Sequence, residues 1–308
     1  MILNVIDAVD KHLVHLAKNN NRDNSHFHPS SWDGCKRQHA YAYYEAKGYI
    51  KSDDSALKIS PQLERIFGNG HGMHHRWRSY IESTNALFGR WECKNWMAHE
   101  TPKMFGTDSK LGCLKPKQCE CGSKRFRYHE IGVLDEESMW GGHIDAVVDQ
   151  QLLSEYLGIK CKIKEDERII LIDFKTINAF EFKALEKPKS EHQTQMQIYL
   201  YLTGLTYGKF IYEDKNSQSV KEYLVIADPN VLSVKKSEAL ALKKIVTITV
   251  NGKHKLPPRG FAARSNPNCQ RCKYRGHCWS ETHEQNKLQK QNDIINKPAK
   301  INIGDIDV

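Results

Sequence analysis

The sequence predicts an α/β fold in which a sheet is flanked by helices. Apolar residues recur at helical spacing toward both ends of the chain, over residues 2–18 and 231–246. Apolar runs of strand length dominate the middle of the chain, and a helical pattern over residues 191–205 interrupts them. Helices, then strands, a helix and strands again indicate an α/β or α+β architecture.

Three helices are predicted before the first strand. In the first, apolar residues such as Val5, Val9 and Leu16 follow a spacing near 3.6. Ser30 can cap the second helix, which ends at Gly48, and Pro61 suits the first turn of the third. The predicted bounds are residues 2–18, 30–47 and 61–85.

The later elements follow a segment that has little periodicity and contains four cysteines, which we interpret as an insertion stapled by metal. Predicted strands cover residues 126–133, 142–148, 168–176, 210–212 and 222–226. A charged hairpin loop is predicted over 160–168 and a polar turn over 213–220. The chain thus divides into an N-terminal helical region (1–85), the cysteine-rich insertion (86–125), a core (126–228), a C-terminal helix with a cysteine cluster (229–284) and a polar tail (285–308).

Composition and charge favour a polyanionic partner such as nucleic acid. The 308 residues include 46 Lys and Arg against 37 Asp and Glu, which gives a net charge of +9. The sequence contains no apolar run of about eighteen residues, so nothing in it predicts a membrane span. The first residues mix charged and apolar side chains and do not resemble a signal peptide, so we expect a cytoplasmic protein, in the host cytoplasm if a phage encodes it.

The nine cysteines indicate metal binding rather than a disulfide framework, because no secretion signal accompanies them. We interpret them as two groups of four with Cys161 as a spare thiol. The first group is Cys35, Cys269, Cys272 and Cys278, and the second is Cys93, Cys113, Cys119 and Cys121.

A carboxylate and a lysine lie two residues apart in the apolar run from Ile169 to Thr176. Residues at i and i+2 of a strand point to the same face, so Asp173 and Lys175 project together. Unpaired buried charges are costly, and a bound divalent cation offers a reason for this arrangement. The alternative is a simple Asp–Lys ion pair at a strand end.

A second carboxylate, Asp145, lies inside another apolar strand over residues 141–148. Two carboxylates on neighbouring strands beside a lysine can hold Mg²⁺ or Mn²⁺ and a water molecule. The cation would polarise a phosphate and lower the pKa of the water. Lys175 would orient that water and offset charge on the phosphate.

Asp145 followed by Asp173-Phe174-Lys175 resembles the core of PD-(D/E)XK nucleases. Ile144 stands where the motif has Pro, a departure typical of the RecB-like branch. The resemblance implies a restriction-endonuclease-like fold, a mixed sheet flanked by helices. It also implies a metal site formed by His74, Asp145, Asp173 and Phe174.

Two further motifs of the RecB-like branch occur in the expected order. Gly70-His71-Gly72-Met73-His74 matches its Gly-x-x-x-His motif, and Gln195-Met196-Gln197-Ile198-Tyr199 matches its Gln-x-x-x-Tyr motif. Gln195 and Tyr199 share one face of a helix and can reach DNA or the catalytic lysine.

One early cysteine with three late ones resembles the iron–sulfur nucleases, such as AddB-type helicase–nucleases and CRISPR-associated RecB-like exonucleases. In those proteins the four thiolates hold a four-iron, four-sulfur cluster. Zinc is the alternative, because four cysteines satisfy it equally well. Either centre would join segments far apart in the sequence.

The second cysteine group is less regular. Cys119-Glu120-Cys121-Gly122 resembles a zinc knuckle, for which Cys93 supplies a partner, and His99 could replace Cys113 as the fourth ligand. The alternative is a set of unligated cysteines in a surface insertion.

The resemblance implies a metal-dependent DNA nuclease, expected to be an exonuclease in recombination, repair or phage DNA metabolism. The partners it implies are DNA and a helicase or recombination protein. Two alternatives stay open: a non-catalytic DNA-binding module, and an iron–sulfur or zinc scaffold subunit of a larger nuclease complex.

Overall fold

The computed structural model describes residues 4–18, 22–52, 60–108, 111–250 and 253–280. The predicted polar tail and the first residues of the predicted N-terminal helix lie outside these ranges. Among the described helices, none combines the length and the apolar composition that a membrane-spanning segment requires.

The described helices are α1 (Val5–Lys18), α2 (Lys36–Ala46), α3 (Pro61–Ser83), α4 (Gln150–Tyr156), α5 (Glu165–Arg168), α6 (Ala179–Ala184), α7 (Ser190–Thr203), α8 (Pro229–Thr247), α9 (Pro267–Gln270) and α10 (Arg275–Trp279). Helices α1, α2, α3, α7 and α8 lie close to predicted positions, and the other helices were not predicted. Two short 3₁₀ helices cover Pro29–Ser31 and Trp96–Ala98.

The strands form one large sheet and two small hairpins. They are β1 (Leu87–Cys93), β2 (Met104–Phe105), β3 (Cys113–Leu114), β4 (Phe126–His129), β5 (Ile131–Asp135), β6 (Trp140–Ile144), β7 (Ala146–Asp149), β8 (Ile169–Ile177), β9 (Tyr207–Asp214), β10 (Val220–Ile226), β11 (Thr249–Val250) and β12 (Lys253–His254).

The large sheet has eight strands, in the order β10-β9-β8-β7-β1-β2, and β3 and β4 also pair with β1. Strands β8 and β9 are parallel, whereas β7 is antiparallel to both β8 and β1. The sheet is therefore mixed. Helices pack on it, which confirms the predicted α/β fold.

Alternate residues of β8 pack against helices on opposite faces of the sheet. Ile170 and Ile172 lie in a cluster with Met73 of α3, and Leu171 lies in a second cluster with Met196 of α7. Full burial of one such side chain contributes about 1.5–3 kcal/mol. Both helices are thereby fixed on the strand that contains Asp173.

A third layer, made of α2 and α8, covers the outer side of α7. Ile198 of α7 and Leu242 of α8 belong to a buried cluster that also contains Trp32 and Trp140. The two indole rings meet edge to face, with centroids 5.5 Å apart. This layer brings the start of α2, and with it Cys35, toward the C-terminal segment.

Strand β1 was not predicted, because it begins the segment interpreted as an insertion. Its residues alternate between buried and half-buried along its whole length, as expected for a strand of the sheet. Gly89 obscures this alternation in the sequence. A Cβ there would lie only 2.2 Å from the Tyr128 ring, so the strand needs glycine at this point.

Other elements also differ from the prediction. The strand predicted over residues 142–148 is split into β6 and β7 at Asp145, and β6 pairs with β5 in a separate hairpin. The segment 160–168, predicted as a hairpin loop, contains α5 and is preceded by α4. Helix α6 was missed, because six residues capped by Asn178 are too short to show a period.

We expect Asp149→Ala to destabilise the protein. Its buried carboxylate accepts hydrogen bonds from the amides of Gln151 and Leu152, which caps α4, and from the Arg168 guanidinium at 3.0 and 3.1 Å. Loss of the cap alone should lower the free energy of unfolding by about 1–2 kcal/mol in urea titrations. Asp166→Ala, at an exposed position of the same connection, is the control, and equal effects would contradict this role.

Candidate active site and metal-ligand clusters

Two carboxylates lie at adjoining positions where β7 and β8 pair. Ala146 of β7 is opposite Ile172 of β8 in antiparallel register, which sets Asp145 beside Asp173. Lys175 follows Asp173 by two residues and therefore shares its face of the strand. The sheet thus brings the three charged residues of the predicted core together.

Asp145 is held by contacts from two elements. Its Oδ2 accepts a hydrogen bond from the Phe174 main-chain N–H at 2.9 Å, and its Oδ1 lies 3.2 Å from His74 Nδ1 on α3. Burial alone would raise the pKa of Asp145, but the hydrogen bond and charge of His74 outweigh it and lower this pKa. Burial would lower the pKa of His74, and Asp145 reverses that shift to a net rise.

Asp173 is almost fully buried, with 2% of its surface exposed. Its Oδ1 lies 2.5 Å from Lys175 Nζ, yet this oxygen accepts no well-aligned hydrogen bond within the described part of the chain. Burial raises the pKa of Asp173, Lys175 opposes this and Asp145 adds to it, so that the pKa is about 6. Two adjoining carboxylates with one ammonium beside them fit a site that a divalent cation completes.

The Gln-x-x-x-Tyr motif lies on α7, against the Asp173 face of β8. Lys175 Nζ donates a hydrogen bond to Gln195 Oε1 at 3.1 Å. Tyr199 is buried, and this burial, together with the charges of Asp173 and Asp145, raises the pKa of its hydroxyl. Gln195 therefore contacts the lysine, and Tyr199 lies within the core rather than on the surface.

Phe174 has a different place from the other expected metal ligands. Its side chain is buried on the α3 side of the sheet, where its ring centroid lies 5.7 Å from that of His74 and 6.2 Å from that of Trp77. A phenyl ring offers no donor atom. Only the main-chain carbonyl of Phe174 could supply an oxygen ligand.

Sequence reasoning missed Arg78 and Tyr128, which support the main chain at the first carboxylate. The Tyr128 hydroxyl donates to the Asp145 carbonyl at 3.3 Å, and the Arg78 guanidinium lies 3.5 Å from the same oxygen. Arg78 follows His74 by four residues and so lies on the same helix face, and this spacing could have predicted its place at the site. Tyr128 reaches the site through strand pairing, which leaves no local signal.

The first cysteine group lies where α2 meets the C-terminal segment. Cys35 immediately precedes α2, and the other three cysteines lie in and beside α9 and α10. Glu45, on the same helix, accepts hydrogen bonds at 2.6 Å from both the Lys273 ammonium and the Tyr274 hydroxyl. These contacts tie the two distant segments together.

The four thiols of this group are close enough to influence one another electrostatically. Burial raises the pKa of Cys272, and the charges of Cys35, Cys278 and Cys269 raise it further. A Cβ added at Gly260 would lie 3.1 Å from the Cys35 sulfur, so main chain packs directly against this thiol. Thiolates held close together repel one another, and a bound metal centre would relieve that repulsion.

The second group is gathered more tightly and includes a histidine. Ligand atoms of Cys93, His99, Cys119 and Cys121 all lie within 4.8 Å of one another, and in the described chain no other set of three or more does so. The Cys93 and Cys121 sulfurs are 3.7 Å apart, and Cys119 Sγ lies 3.4 Å from His99 Nε2. Zn–S bonds of about 2.3 Å in a tetrahedral site place two sulfurs about 3.8 Å apart.

Cys113 does not belong to this set, so the expectation that included it is corrected in favour of His99. Cys113 pairs with Gly89 on β1, four residues before Cys93. At about 3.3 Å per residue, the two positions are separated by about 13 Å along the strand. Cys161 is exposed and lies outside both groups.

Comparison with known families gives one match, to the model of the PD-(D/E)XK nuclease superfamily over residues 159–279. This confirms the resemblance to the superfamily that the sequence indicated. The matched segment includes Asp173, Lys175 and Gln195, and it ends just after the C-terminal cysteines. Residues 159–279 therefore resemble the nuclease domain of that superfamily.

Solved structures show more distant likeness. The structure titled SSO0001 has a TM-score of 0.43 at 13% identity, covering 90% of this chain and 97% of its own. An alkaline exonuclease, LHK-Exo from Laribacter hongkongensis, has a TM-score of 0.29 at 20% identity over 38% of this chain and 56% of its own. The complex of LHK-Exo with dAMP has a TM-score of 0.38 at 14% identity, covering 72% of this chain and 88% of its own. A comparison with curated proteins finds no match.

Proposed function

We propose that this protein is a metal-dependent DNA nuclease of the RecB-like branch that hydrolyses phosphodiester bonds. The observation that carries the proposal is the buried Asp173 carboxylate, which has Asp145 and Lys175 beside it and an oxygen without a well-aligned donor. Two adjoining carboxylates repel each other, and of the two Lys175 contacts only Asp173, so a divalent cation between them would offset that cost. A DNA-binding module without catalysis has no need of this arrangement.

The ligands of the catalytic ion would be His74, Asp145, Asp173 and the Phe174 carbonyl. Bound Mg²⁺ or Mn²⁺ supplies polarisation of the phosphate and a more acidic water. Lys175 would orient the attacking water and offset the charge that develops on the phosphate. Gln195 accepts a hydrogen bond from Lys175 and thereby holds the ammonium in place.

The substrate and the setting are further parts of the proposal. A net charge of +9 favours the polyanionic backbone of DNA. The motif resemblance favours an exonuclease in recombination, repair or phage DNA metabolism, with a helicase or recombination protein as partner. End-labelled single- and double-stranded DNA, digested with Mg²⁺ or Mn²⁺, tests this directly.

We also propose that the two cysteine sets hold different centres. The Cys93/His99/Cys119/Cys121 set has the spacing of a single tetrahedral Zn²⁺. The ligand atoms of Cys35, Cys269, Cys272 and Cys278 are not all within 4.8 Å of one another. Among the described residues, only the other set meets that limit. A four-iron, four-sulfur cluster is larger than one ion and suits this wider spacing.

Asp173→Ala should lower the rate of DNA cleavage by at least about 1,000-fold, because the ion supplies several kcal/mol of transition-state stabilisation. Asp145→Ala should act likewise. Cleavage of end-labelled DNA measures both. Asp166→Ala, an exposed acid outside the site, should cleave normally, and substantial cleavage by Asp173→Ala protein would exclude the assignment.

Lys175→Ala should lower the cleavage rate about 100-fold or more yet retain Mn²⁺ binding. The ammonium is not a ligand, and its removal takes a positive charge away from the Asp173 carboxylate. Isothermal titration at pH 8, above the pKa of about 6 that burial gives Asp173, compares the variants. A collapse of Mn²⁺ affinity equal to that of Asp173→Ala would show that Lys175 is structural.

Protein purified without oxygen should be brown, with a broad absorbance that fades in air. Replacing Cys35, Cys269, Cys272 or Cys278 by Ala should bleach it and reduce solubility, because metal binding here is coupled to folding. Cys161→Ala should do neither and serves as the control. A colourless anaerobic preparation that contains zinc at both sets and no iron would refute the iron–sulfur centre.

A further inference from the structure

A short turn between two of the zinc-type ligands presents two large apolar side chains to solvent. The 3₁₀ helix Trp96–Ala98 lies between Cys93 and His99, and Trp96 and Met97 are 72% and 80% exposed. Single exposed apolar residues need no explanation. Two adjacent ones on an ordered turn, next to a metal-type donor set, call for one.

The turn is fixed by the same residues that form the donor set. The His99 amide donates to the Trp96 carbonyl at 3.3 Å, and the Asn95 side-chain amide lies 3.8 Å from the Cys121 sulfur. Cys93 is anchored by β1, whose pairing with β4 places it opposite Phe126. The Trp96 indole is therefore presented on a rigid support rather than on a loose loop.

Three basic residues lie beside the turn. The Lys94 amide donates to the Arg125 carbonyl at 2.9 Å, so these two residues are neighbours, and Lys124 precedes Arg125. All three side chains are exposed, and none has a carboxylate partner among the residues that the structure describes. An aromatic ring with unpaired basic groups beside it has the composition of single-stranded nucleic acid sites, where bases stack and phosphates pair.

The turn also lies near the candidate active site. Strand β4 runs from Phe126, opposite Cys93, to His129, opposite Arg90, and the Tyr128 hydroxyl between them donates to the Asp145 carbonyl. The stretch of β1 from Arg90 to Cys93 spans about 10 Å. A DNA strand bound at Asp145 can therefore reach the turn within a few nucleotides.

We propose that the zinc-bound turn is a binding site for single-stranded DNA, in which a base stacks on Trp96 beside Met97 and phosphates contact Lys94, Lys124 and Arg125. This rests on the proposed nuclease function, since it assumes that the strand also enters the active site. A flat indole at the tip suits an unpaired base, because bases of a duplex are already stacked on one another.

The test measures the affinity for a fluorescent oligothymidine by anisotropy, in an Asp173→Ala background that prevents digestion. Trp96→Ala with Met97→Ala should weaken binding about 5- to 100-fold, and Trp96→Phe should retain most of the affinity. Arg125→Ala should lower the slope of log affinity against log salt by about 0.7. Tyr156→Ala is the matched control, an aromatic residue 63% exposed on α4, beyond the opposite end of β7.

Bound zinc is measured in the same preparations. His99→Ala should lose zinc and affinity together, whereas Cys113→Ala should lose neither and Trp96→Ala should keep its zinc. Unchanged oligothymidine binding by the Trp96/Met97 double variant, or an equal loss in Tyr156→Ala, would overturn the proposal, as would an equal loss for duplex DNA. Wild-type protein that fails to cleave DNA, yet binds oligothymidine through Trp96, would contradict the proposed nuclease and not this site.

Discussion

The structure depends on a pair of carboxylates placed side by side inside an apolar sheet. Asp145 and Asp173 adjoin because β7 and β8 pair in one register, and a shift by one residue would turn Asp173 to the other face. His74 reaches Asp145 from α3, and Gln195 reaches Lys175 from α7. Helices on both faces must therefore dock correctly before the site exists, so the apolar clusters around β8 hold its geometry.

A second constraint is the contact between α2 and the C-terminal segment. The buried Arg37 donates to the Pro257 carbonyl at 2.8 Å, and Glu45 accepts hydrogen bonds from Lys273 and Tyr274. Burial raises the pKa of Glu45, but hydrogen bonds, chiefly from Lys273, outweigh this and lower it to about 2. The stabilisation is therefore full above the ordinary glutamate pKa, and it is lost as the pH falls through about 2. These contacts hold Cys35 and the C-terminal cysteines in neighbouring parts of the fold.

Local patterns predicted the parts of the site that lie on one element. Asp173 and Lys175 are two apart on a strand, and Gln195 and Tyr199 are four apart on a helix, so periodicity alone sets their faces. The exclusion of Cys113 from the zinc-type set depends on long-range pairing with Gly89, which no local pattern contains. The break at Asp145 was hidden for a similar reason, since β6 and β7 read as one apolar run although they join different sheets.

Strand β1 links the two candidate sites by hydrogen bonds rather than by a flexible connection. Its first residues pair with β7 close to Asp145, and its last residue, Cys93, belongs to the zinc-type set. Functional groups on strands are held more precisely than groups on loops. The distance between the Trp96 turn and Asp145 is therefore fixed by the pairing of the sheet strands. If a nucleic acid strand spans both, the main chain of β1 sets the distance from the stacked base to the bond that is cut.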